Sequence, residues 1–280
     1  MVWITGAAGL IGNYLVQTAP RFAVRWNIHP LTRAKLDLMD TSAVRQLFAN
    51  ERPQLIIHCA ALSQSPACQK NPDLARKLNV NVTAALAELA AEVRFIFFST
   101  DLVFDGRKGN YVETDPVNPL SVYAETKVAA EKIILANPKH TVVRTSLNGG
   151  TSPSGDRGFN EQLRLAFQRG DTVKLFTDEY RDPIPAMETA RAVWELAAAN
   201  AAGLFHLAGN ERLSRWQIGE LIASRWPQLN PKLEAESLKN YQGAPRSPDT
   251  SLNCAKVQKF LTSPLPGLAD WLARHPEEAF

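Results

Sequence analysis

The chain has 280 residues, 45% hydrophobic and 21% charged, and its 31 basic against 28 acidic side chains leave a formal charge of +3. These are ordinary soluble globular proportions. The absence of a Lys/Arg block excludes a nucleic-acid footprint, and no apolar run approaches the roughly 18 residues of a membrane span. Cys59, Cys68 and Cys254 are an odd number without C-x-x-C spacing, which argues against a disulfide framework or a zinc ribbon and fits a reducing cytoplasm.

Met1 leads directly into a predicted buried strand, Val2 to Thr5, which leaves no room for a signal peptide. The strand runs into Thr5-Gly6-Ala7-Ala8-Gly9-Leu10-Ile11-Gly12 and then an amphipathic helix ending near Pro20. A glycine turn between strand and helix lets backbone N–H groups approach a diphosphate at the positive end of the helix dipole. The spacing is G-x-x-G-x-x-G, one residue longer than the usual dinucleotide fingerprint. Gly6, Gly9, Leu10, Ile11 and Gly12 are therefore candidate cofactor contacts.

A second strand is predicted over Val24 to Ile28. An acidic residue at its end would take the ribose 2′-OH of NAD, but His29-Pro30-Leu31-Thr32-Arg33 offers a guanidinium instead. Arg33 suits a 2′-phosphate and favours NADP(H). A solvated loop arginine, with Lys35 close by, is the plainer alternative, and Asp37 with Leu38 just beyond leaves NAD(H) open. After the turn residues Asp40, Thr41 and Ser42, Val44, Leu47 and Phe48 recur at helical spacing. A third strand, Leu55 to Cys59, precedes a longer helix from Asp73 to Glu92 carrying Leu74, Leu78, Leu86 and Leu89. His58 reads as a satisfied core group and Cys68 as packing.

The fourth strand, Phe95 to Ser99, delivers Ser99-Thr100-Asp101 at its carboxyl end, the edge where open α/β sheets bind ligands. A helix beginning near Pro119 to Val122 carries Tyr123-Ala-Glu-Thr-Lys127, whose Tyr and Lys share one face at i and i+4. An ammonium beside the phenol is expected to lower its pKa from about 10, making Tyr123 a usable acid. Thr100 would hydrogen-bond the substrate oxygen, and Lys127 would also hold the nicotinamide ribose.

After a fifth strand, Thr141 to Arg144, the Gly/Ser/Pro-rich stretch Leu147 to Gly158 reads as a mobile loop bordering the ligand cleft. Helices are predicted over Phe159 to Gly170, Glu188 to Asn200 and Ser214 to Trp226, with strands Thr172 to Phe176 and Gly203 to Leu207. In the Pro-punctuated remainder, helices fall near Cys254 to Leu261 and Leu268 to Arg274. His206 reads as core, and Trp194, Trp216, Trp226 and Trp271 as core of a smaller lobe. Arg181 and Arg246 are candidate contacts for an anionic or hydroxylated ligand. No metal-ligand cluster is visible.

The expected architecture is α/β: a Rossmann-type doubly wound parallel sheet with a smaller C-terminal α/β substrate lobe. Residues 1–146 form the nucleotide-binding domain, segments near 185–207 return to it, and 147–280 mainly bind substrate.

Thr5-Gly-Ala-Ala-Gly-Leu-Ile-Gly12, Ser99-Thr-Asp-Leu-Val-Phe-Asp-Gly106 and Asn118-Pro-Leu-Ser-Val-Tyr-Ala-Glu-Thr-Lys127 resemble the extended short-chain dehydrogenase/reductases. More narrowly they resemble the dTDP-4-dehydrorhamnose reductase group, and weaker likenesses at Val143 to Ser146, Gly203 to Leu207, Pro245-Arg246 and Leu252 extend this over nearly the whole chain. The resemblance implies the triad Thr100, Tyr123 and Lys127. It also implies that Cys59, Ala60, Ala61, Asn79 and Ser99 line the cofactor cleft, and that Asp101 lies toward the substrate.

Two departures bear on the substrate. Leu147, Asn148 and Gly149 stand where the group carries a Trp followed by Tyr-Gly, and Ser65-Pro66 with Cys68-Gln69 replace Val-Asp and Cys-Glu. The substrate expected is therefore a carbonyl compound related to, but not itself, dTDP-4-dehydrorhamnose, such as another nucleotide sugar. A homodimer through the Tyr123 helix would fit such folds. Two other readings stand beside an NADP(H)-dependent reductase: a cofactor-binding regulatory subunit, as the similar beta subunit of methionine adenosyltransferase is, and sugar epimerisation or dehydration. Leu102 after Thr100-Asp101, where dehydratases tend to have Glu, disfavours dehydration.

Overall fold

Short apolar runs form the strands, and the central ones, rich in Val, Ile and Phe, are buried on both faces. In the computed structural model, which describes residues 1–278 and 280, these are β1 (Val2–Thr5), β2 (Ile28–Leu31), β3 (Leu55–His58), β4 (Arg94–Thr100) and β5 (Thr141–Thr145). They lie in the order β2-β1-β3-β4-β5, and the Gly203–Leu207 strand completes a six-stranded sheet beside β5, every pairing parallel. The chain leaves β1 toward β2 and returns to the other side as β3, which opens a crevice at the carboxyl ends of β1 and β3.

Alternation along the strands sends side chains to two cores. Ile4, Ile57, Ile96 and Phe98 pack under the helices Leu10–Phe22 (α1) and Ala186–Ala198. Trp3, Ile56, Phe95 and Phe97 face Val44 of α2 (Thr41–Glu51), Leu86, and Ala130 and Ile134 of the Val122–Leu135 helix. The result is the doubly wound α/β sheet that the residue pattern predicts.

Four details differ from expectation. The second strand is Ile28–Leu31 rather than Val24 to Ile28: Val24 lies on a turn and is 79% exposed, whereas Pro30 pairs with Ile4 in an edge strand, where a missing N–H costs little. The Asp73 to Glu92 helix is interrupted. Pro72–Arg76 and Val82–Leu89 are α-helical, but Lys77–Asn81 is a π-helical turn that rephases the apolar stripe, leaving Leu74 exposed and turning Asn79 inward. Trp194 belongs to the main core, not to that of a smaller lobe. Its indole N–H donates to the Leu15 carbonyl of α1 at 3.2 Å, and its ring packs on Trp26.

Outside the sheet, Phe159–Gln168, Arg215–Ala223 and Leu268–Arg274 gather around Leu163, Leu175, Ile218 and Trp271, with Trp216 and Trp226 packed against them. The strands Thr172–Phe176 and Lys232–Glu236 pair in parallel beside this core. The Leu147 to Gly158 segment is tightly held rather than loose. Glu161 accepts from the Ser152 N–H and hydroxyl, both at 2.7 Å, and from the Arg157 and Gly158 N–H groups, both at 2.8 Å. Among the described residues no helix is long and apolar enough to cross a membrane.

Candidate active site

Gly6 follows β1 with a φ of +67°, a conformation that L side chains rarely adopt, and a Cβ there would lie 2.7 Å from the Ala60 nitrogen. A Cβ on Gly12 would lie 2.3 Å from the Gly6 carbonyl oxygen. Glycine at both positions therefore lets the turn sit against the residues after β3 and lets α1 sit against the turn. The first-turn N–H groups of α1 have no intrahelical partner, and Gly9 supplies no side-chain cap, so the turn presents free donors. Leu10 and Ile11 are half-buried on its flank. Thr5 ties the cradle to β3: its hydroxyl lies 2.7 Å from His58 Nδ1 and accepts the Ala60 N–H at 3.3 Å. His58 also meets the Thr83 hydroxyl at 3.1 Å, and burial pushes its pKa down to about 3, so it is a neutral, satisfied core group.

Gly6→Ala is expected to cost roughly 2 kcal/mol or more, combining left-handed strain with overpacking. It should weaken dinucleotide binding in parallel. Urea unfolding and cofactor titration of the same variant check both, and unchanged values would mean the turn is not a built cradle.

Beyond β2, Arg33 is exposed. Asp37 is exposed and accepts the Met39 N–H at 3.0 Å, and Leu38 is half-buried. Cys59, Ala60 and Ala61 follow β3 beside Gly6. Asn79, only 1% exposed, is a brace. It accepts the Leu62 N–H at 2.8 Å and donates to the Leu62 carbonyl and the Thr126 hydroxyl, joining the loop after β3 to the Val122–Leu135 helix.

That helix starts cleanly because Ser121 accepts the Ala124 N–H. Tyr123, Lys127 and Glu131 then recur at i, i+4 and i+8 on the face turned to β4. Lys127 is buried with its ammonium 3.9 Å from the Phe97 ring centroid. Burial pulls its pKa down to about 7, against the pull of Glu131 and Cys59. Glu131 is paired in turn with Arg144 (2.7 and 3.0 Å) and accepts the Ser99 hydroxyl at 2.5 Å. Ser99 thus points beneath the site.

Thr100 ends β4, accepting the Leu102 N–H at 3.2 Å and donating to Asp101 Oδ1 at 3.1 Å. Its hydroxyl lies within reach of the Tyr123 phenol. The phenol is not tuned down by Lys127. Burial pushes its pKa above the usual range, the charges of Asp101 and Cys68 add to that, and a hydrogen bond from Thr100 is the opposing influence. Tyr123 therefore keeps its proton at neutral pH. The expected lowering by the ammonium does not appear, because Lys127 is itself desolvated and only partly charged near pH 7.

The lysine sets a pH dependence. Between about 7 in the fold and its ordinary 10.5, the unfolded chain holds a proton on Lys127 that the folded chain lacks, so the lysine's contribution to stability rises with pH over that window. Lys127→Met should accordingly be more stable than wild type at pH 7, with the gap closing toward pH 10.5. A gap in urea midpoint that does not change with pH would show that Lys127 keeps its proton when folded.

Arg181 is buried, donating to Glu179 at 2.9 Å and to the Ser247 carbonyl at 3.1 Å. Arg246 is half-exposed, shares the same carboxylate at 2.6 and 3.0 Å, and lies over the Phe176 and Tyr241 rings. A third guanidinium, Arg215, lies 3.8 Å from the Phe159 ring centroid. Burial holds its pKa down to about 10, Glu179 opposes this, and the charges of Arg181 and Arg246 add to it. Asp101 is buried and receives the Ser146 and Thr250 hydroxyls at 3.0 and 2.7 Å. Asp182 nearby accepts the Leu252 N–H at 2.6 Å, and burial pushes it up to about 7. Glu131, Glu179, Arg215 and Thr250 went unpredicted. The first continues the i+4 series of the Tyr123 helix and the second precedes Arg181 by two positions on one strand side, whereas no local signal marks Arg215 or Thr250.

A doubly wound parallel sheet, a glycine cradle at its crevice and a Tyr-x-x-x-Lys helix facing a strand-end Thr define an extended short-chain dehydrogenase/reductase. The sequence profile of the family described as RmlD substrate binding domain matches residues 1–275, and the chain belongs to that family. It is 33% identical over 236 residues, covering 79% of this chain and 78% of the relative, to a probable low-salt glycan biosynthesis reductase of Haloferax volcanii. It is 27% identical over 275 residues, 92% of this chain and 81% of the relative, to the methionine adenosyltransferase 2 subunit beta of Rattus norvegicus. Its fold is similar to that of a dTDP-4-dehydrorhamnose reductase from Clostridium acetobutylicum, with a TM-score of 0.87, 25% identity, and coverage of 98% of this chain and 97% of that one.

Proposed function

We propose that this chain is an NADP(H)-dependent reductase of a carbonyl group, carried by a nucleotide sugar or a similar anionic compound. The observation that carries the reading is the Ser121-capped helix that sets Tyr123 one turn before the buried Lys127, whose ammonium lies on Phe97 of β4, at the same carboxyl edge of the sheet as Thr100 and the Gly6 cradle. The 33% identical relative is a probable reductase, which supports the same reading.

The glycines and free N–H groups fit a dinucleotide diphosphate. Gly6, Gly9 and Gly12 would hold it, with Leu10, Ile11, Cys59, Ala60 and Ala61 around it, Arg33 toward a 2′-phosphate and Lys127 toward the ribose. The cofactor supplies hydride when bound. Tyr123 donates its proton to the carbonyl oxygen as negative charge develops there, and the Thr100 hydroxyl orients that oxygen. In this reading residues 1–146, with the returning segment near 185–207, serve cofactor and chemistry, and 147–280 mainly shape the substrate site. Arg181, Arg215 and Arg246 gather three positive charges around the single carboxylate of Glu179, an environment that suits a diphosphate or another anion.

Arg33→Ala should weaken NADPH binding by roughly tenfold, the scale of one charge-assisted hydrogen bond, and leave NADH nearly unchanged. Equal losses for the two would return Arg33 to a solvated loop. A panel of 4-keto and other keto nucleotide sugars, assayed for NADPH oxidation, tests the substrate class; reduction confined to small uncharged carbonyls would contradict it.

A second reading has a specific basis, the likeness over 275 residues to a methionine adenosyltransferase subunit beta. A regulatory subunit would bind the dinucleotide through the same cradle and use Tyr123 only for packing. NADPH binding without oxidation by any member of the panel would favour it.

A further inference from the structure

We propose that Tyr14 is a positioning residue for the ligand's anionic group: from α1 it holds the entry of the Phe159–Gln168 helix, whose Phe159 ring carries the Arg215 guanidinium. The inference rests on the reading of the arginine cluster as the ligand's anion site. Of the three guanidiniums there, two are committed. Arg181 donates to Glu179 and to the Tyr180 and Ser247 carbonyls, and Arg246 spans both oxygens of the same carboxylate. Arg215 lies over the Phe159 ring, 3.8 Å from its centroid, and among the described residues no group accepts from its side-chain N–H groups. A guanidinium carries five donors in its plane, so one held by its face and otherwise unpartnered is left to bind an anion from solvent.

Where that guanidinium points is set by the ring beneath it, and the ring by the turn that leads into its helix. Phe159 is the first residue of the helix. The next two side chains bind the chain arriving from β5. Asn160, 1% exposed, accepts the Gly150 N–H at 3.3 Å and donates to the Gly150 carbonyl at 2.9 Å, and Glu161 holds Ser152, Arg157 and Gly158. Residues 150–158 thus go where the helix entry goes. Tyr14 ties them to α1. Its phenol oxygen accepts the Thr151 N–H at 3.1 Å, the one side-chain hydrogen bond from α1 to this segment among the described residues. Gly150 has a φ of +151°, and a Cβ there would lie 2.7 Å from the Tyr14 ring, so glycine is what admits the ring at this distance.

Tyr14 is itself firmly seated. The Thr18 hydroxyl donates to its carbonyl at 2.7 Å, and the Trp194 indole N–H reaches Thr18 Oγ1 at 3.1 Å, so the phenol stands on the main core and not on the lobe. The lobe helix is thereby registered on α1 about one turn past the glycine cradle. Removing the phenol oxygen frees the Thr151 N–H and lets the helix entry, the Phe159 ring and Arg215 shift together. In a keto nucleotide sugar several bonds separate the diphosphate from the carbonyl that reacts, so the loss should fall on ground-state binding and spare the chemical step.

The test is calorimetric titration of the full chain with UDP, dTDP and GDP as probes, and separately with NADP+. Arg215→Met should weaken the tightest-binding probe by roughly tenfold or more, the scale of charge-assisted hydrogen bonds. Tyr14→Phe should weaken it about fivefold, the scale of one neutral hydrogen bond, with NADP+ affinity within about twofold of wild type. In the Arg215→Met background, Tyr14→Phe should add less than about twofold. If Arg215→Met does not fold or abolishes binding, Phe159→Leu, which removes the ring under the guanidinium, closes the same cycle. With any keto nucleotide sugar that is turned over, Tyr14→Phe should raise KM by the same factor and leave kcat nearly unchanged. Wild-type probe affinity in Tyr14→Phe would overturn the proposal and spare the arginine site. A loss that persists in full beside Arg215→Met would overturn it as a general loosening of the lobe. Probes that bind wild type and Arg215→Met alike, or bind neither, would remove the site itself and the proposal with it. Failure of the reductase reading shows separately, as absence of NADPH oxidation in wild type.

Discussion

Tyr123→Phe is expected to reduce carbonyl turnover by ~10²-fold or more, the scale of a lost general acid, while cofactor affinity stays near the wild-type value. The substitution removes one hydroxyl and keeps the ring, so packing against the β4 edge is preserved. Burial and Asp101 hold the phenol protonated at neutral pH, so what disappears is a proton already in place for the carbonyl oxygen. The loss should fall on kcat and on kcat/KM alike, because a proton passed in the transition state contributes little to ground-state binding. Steady-state kinetics with NADPH at saturation checks this. Turnover within a few-fold of wild type would remove Tyr123 from the mechanism.

Arg144→Met should destabilise the fold by about 3 kcal/mol or more. Arg144 and Glu131 are both buried and paired through two nitrogens, and Glu131 also accepts the Ser99 hydroxyl. Met removes the guanidinium and strands a carboxylate in the interior beneath Lys127, where desolvation is uncompensated. The double variant Glu131→Leu/Arg144→Met should recover most of the loss, because a well-packed apolar pair of similar volume replaces a buried ion pair at little net cost. Urea midpoints of the three proteins decide it. A single-variant loss below about 1 kcal/mol would mean that water or Lys127 compensates Glu131, and the pair would no longer account for the rigidity of the floor under the site.

The features legible in the chain are those written at short range. The Gly6 turn is read from strand, glycines and helix in immediate succession, and Tyr123 and Lys127 from a spacing of one helical turn. Contacts between remote segments carry no such signature. Nothing local to Thr250 announces that it closes on Asp101, nor does the run around Arg181 reveal that its guanidinium and that of Arg246 divide one carboxylate. The misplaced second strand has a plain cause: Val24 and Trp26 look like strand residues, but Val24 lies on a turn and Trp26 leaves the sheet to pack on Trp194. The π turn at Lys77–Asn81 escapes periodicity because inserting it shifts the phase of the stripe midway. The tuning of Tyr123 differed for a further reason. Spacing puts the lysine beside the phenol, but only the three-dimensional surroundings reveal that the lysine is itself desolvated.

The central claim is that this site moves a hydride and a proton onto a carbonyl rather than merely binding a dinucleotide. It is tested most directly in a single turnover, with the protein in excess over NADPH deuterated at the transferred position and each keto nucleotide sugar of the panel in turn. The account predicts that at least one substrate consumes the NADPH, that deuterium appears on the former carbonyl carbon of the product, and that the same mixture with Tyr123→Phe proceeds ~10²-fold more slowly or worse. NADPH that binds yet stays unoxidised across the whole panel, with no deuterium in any product, would contradict it.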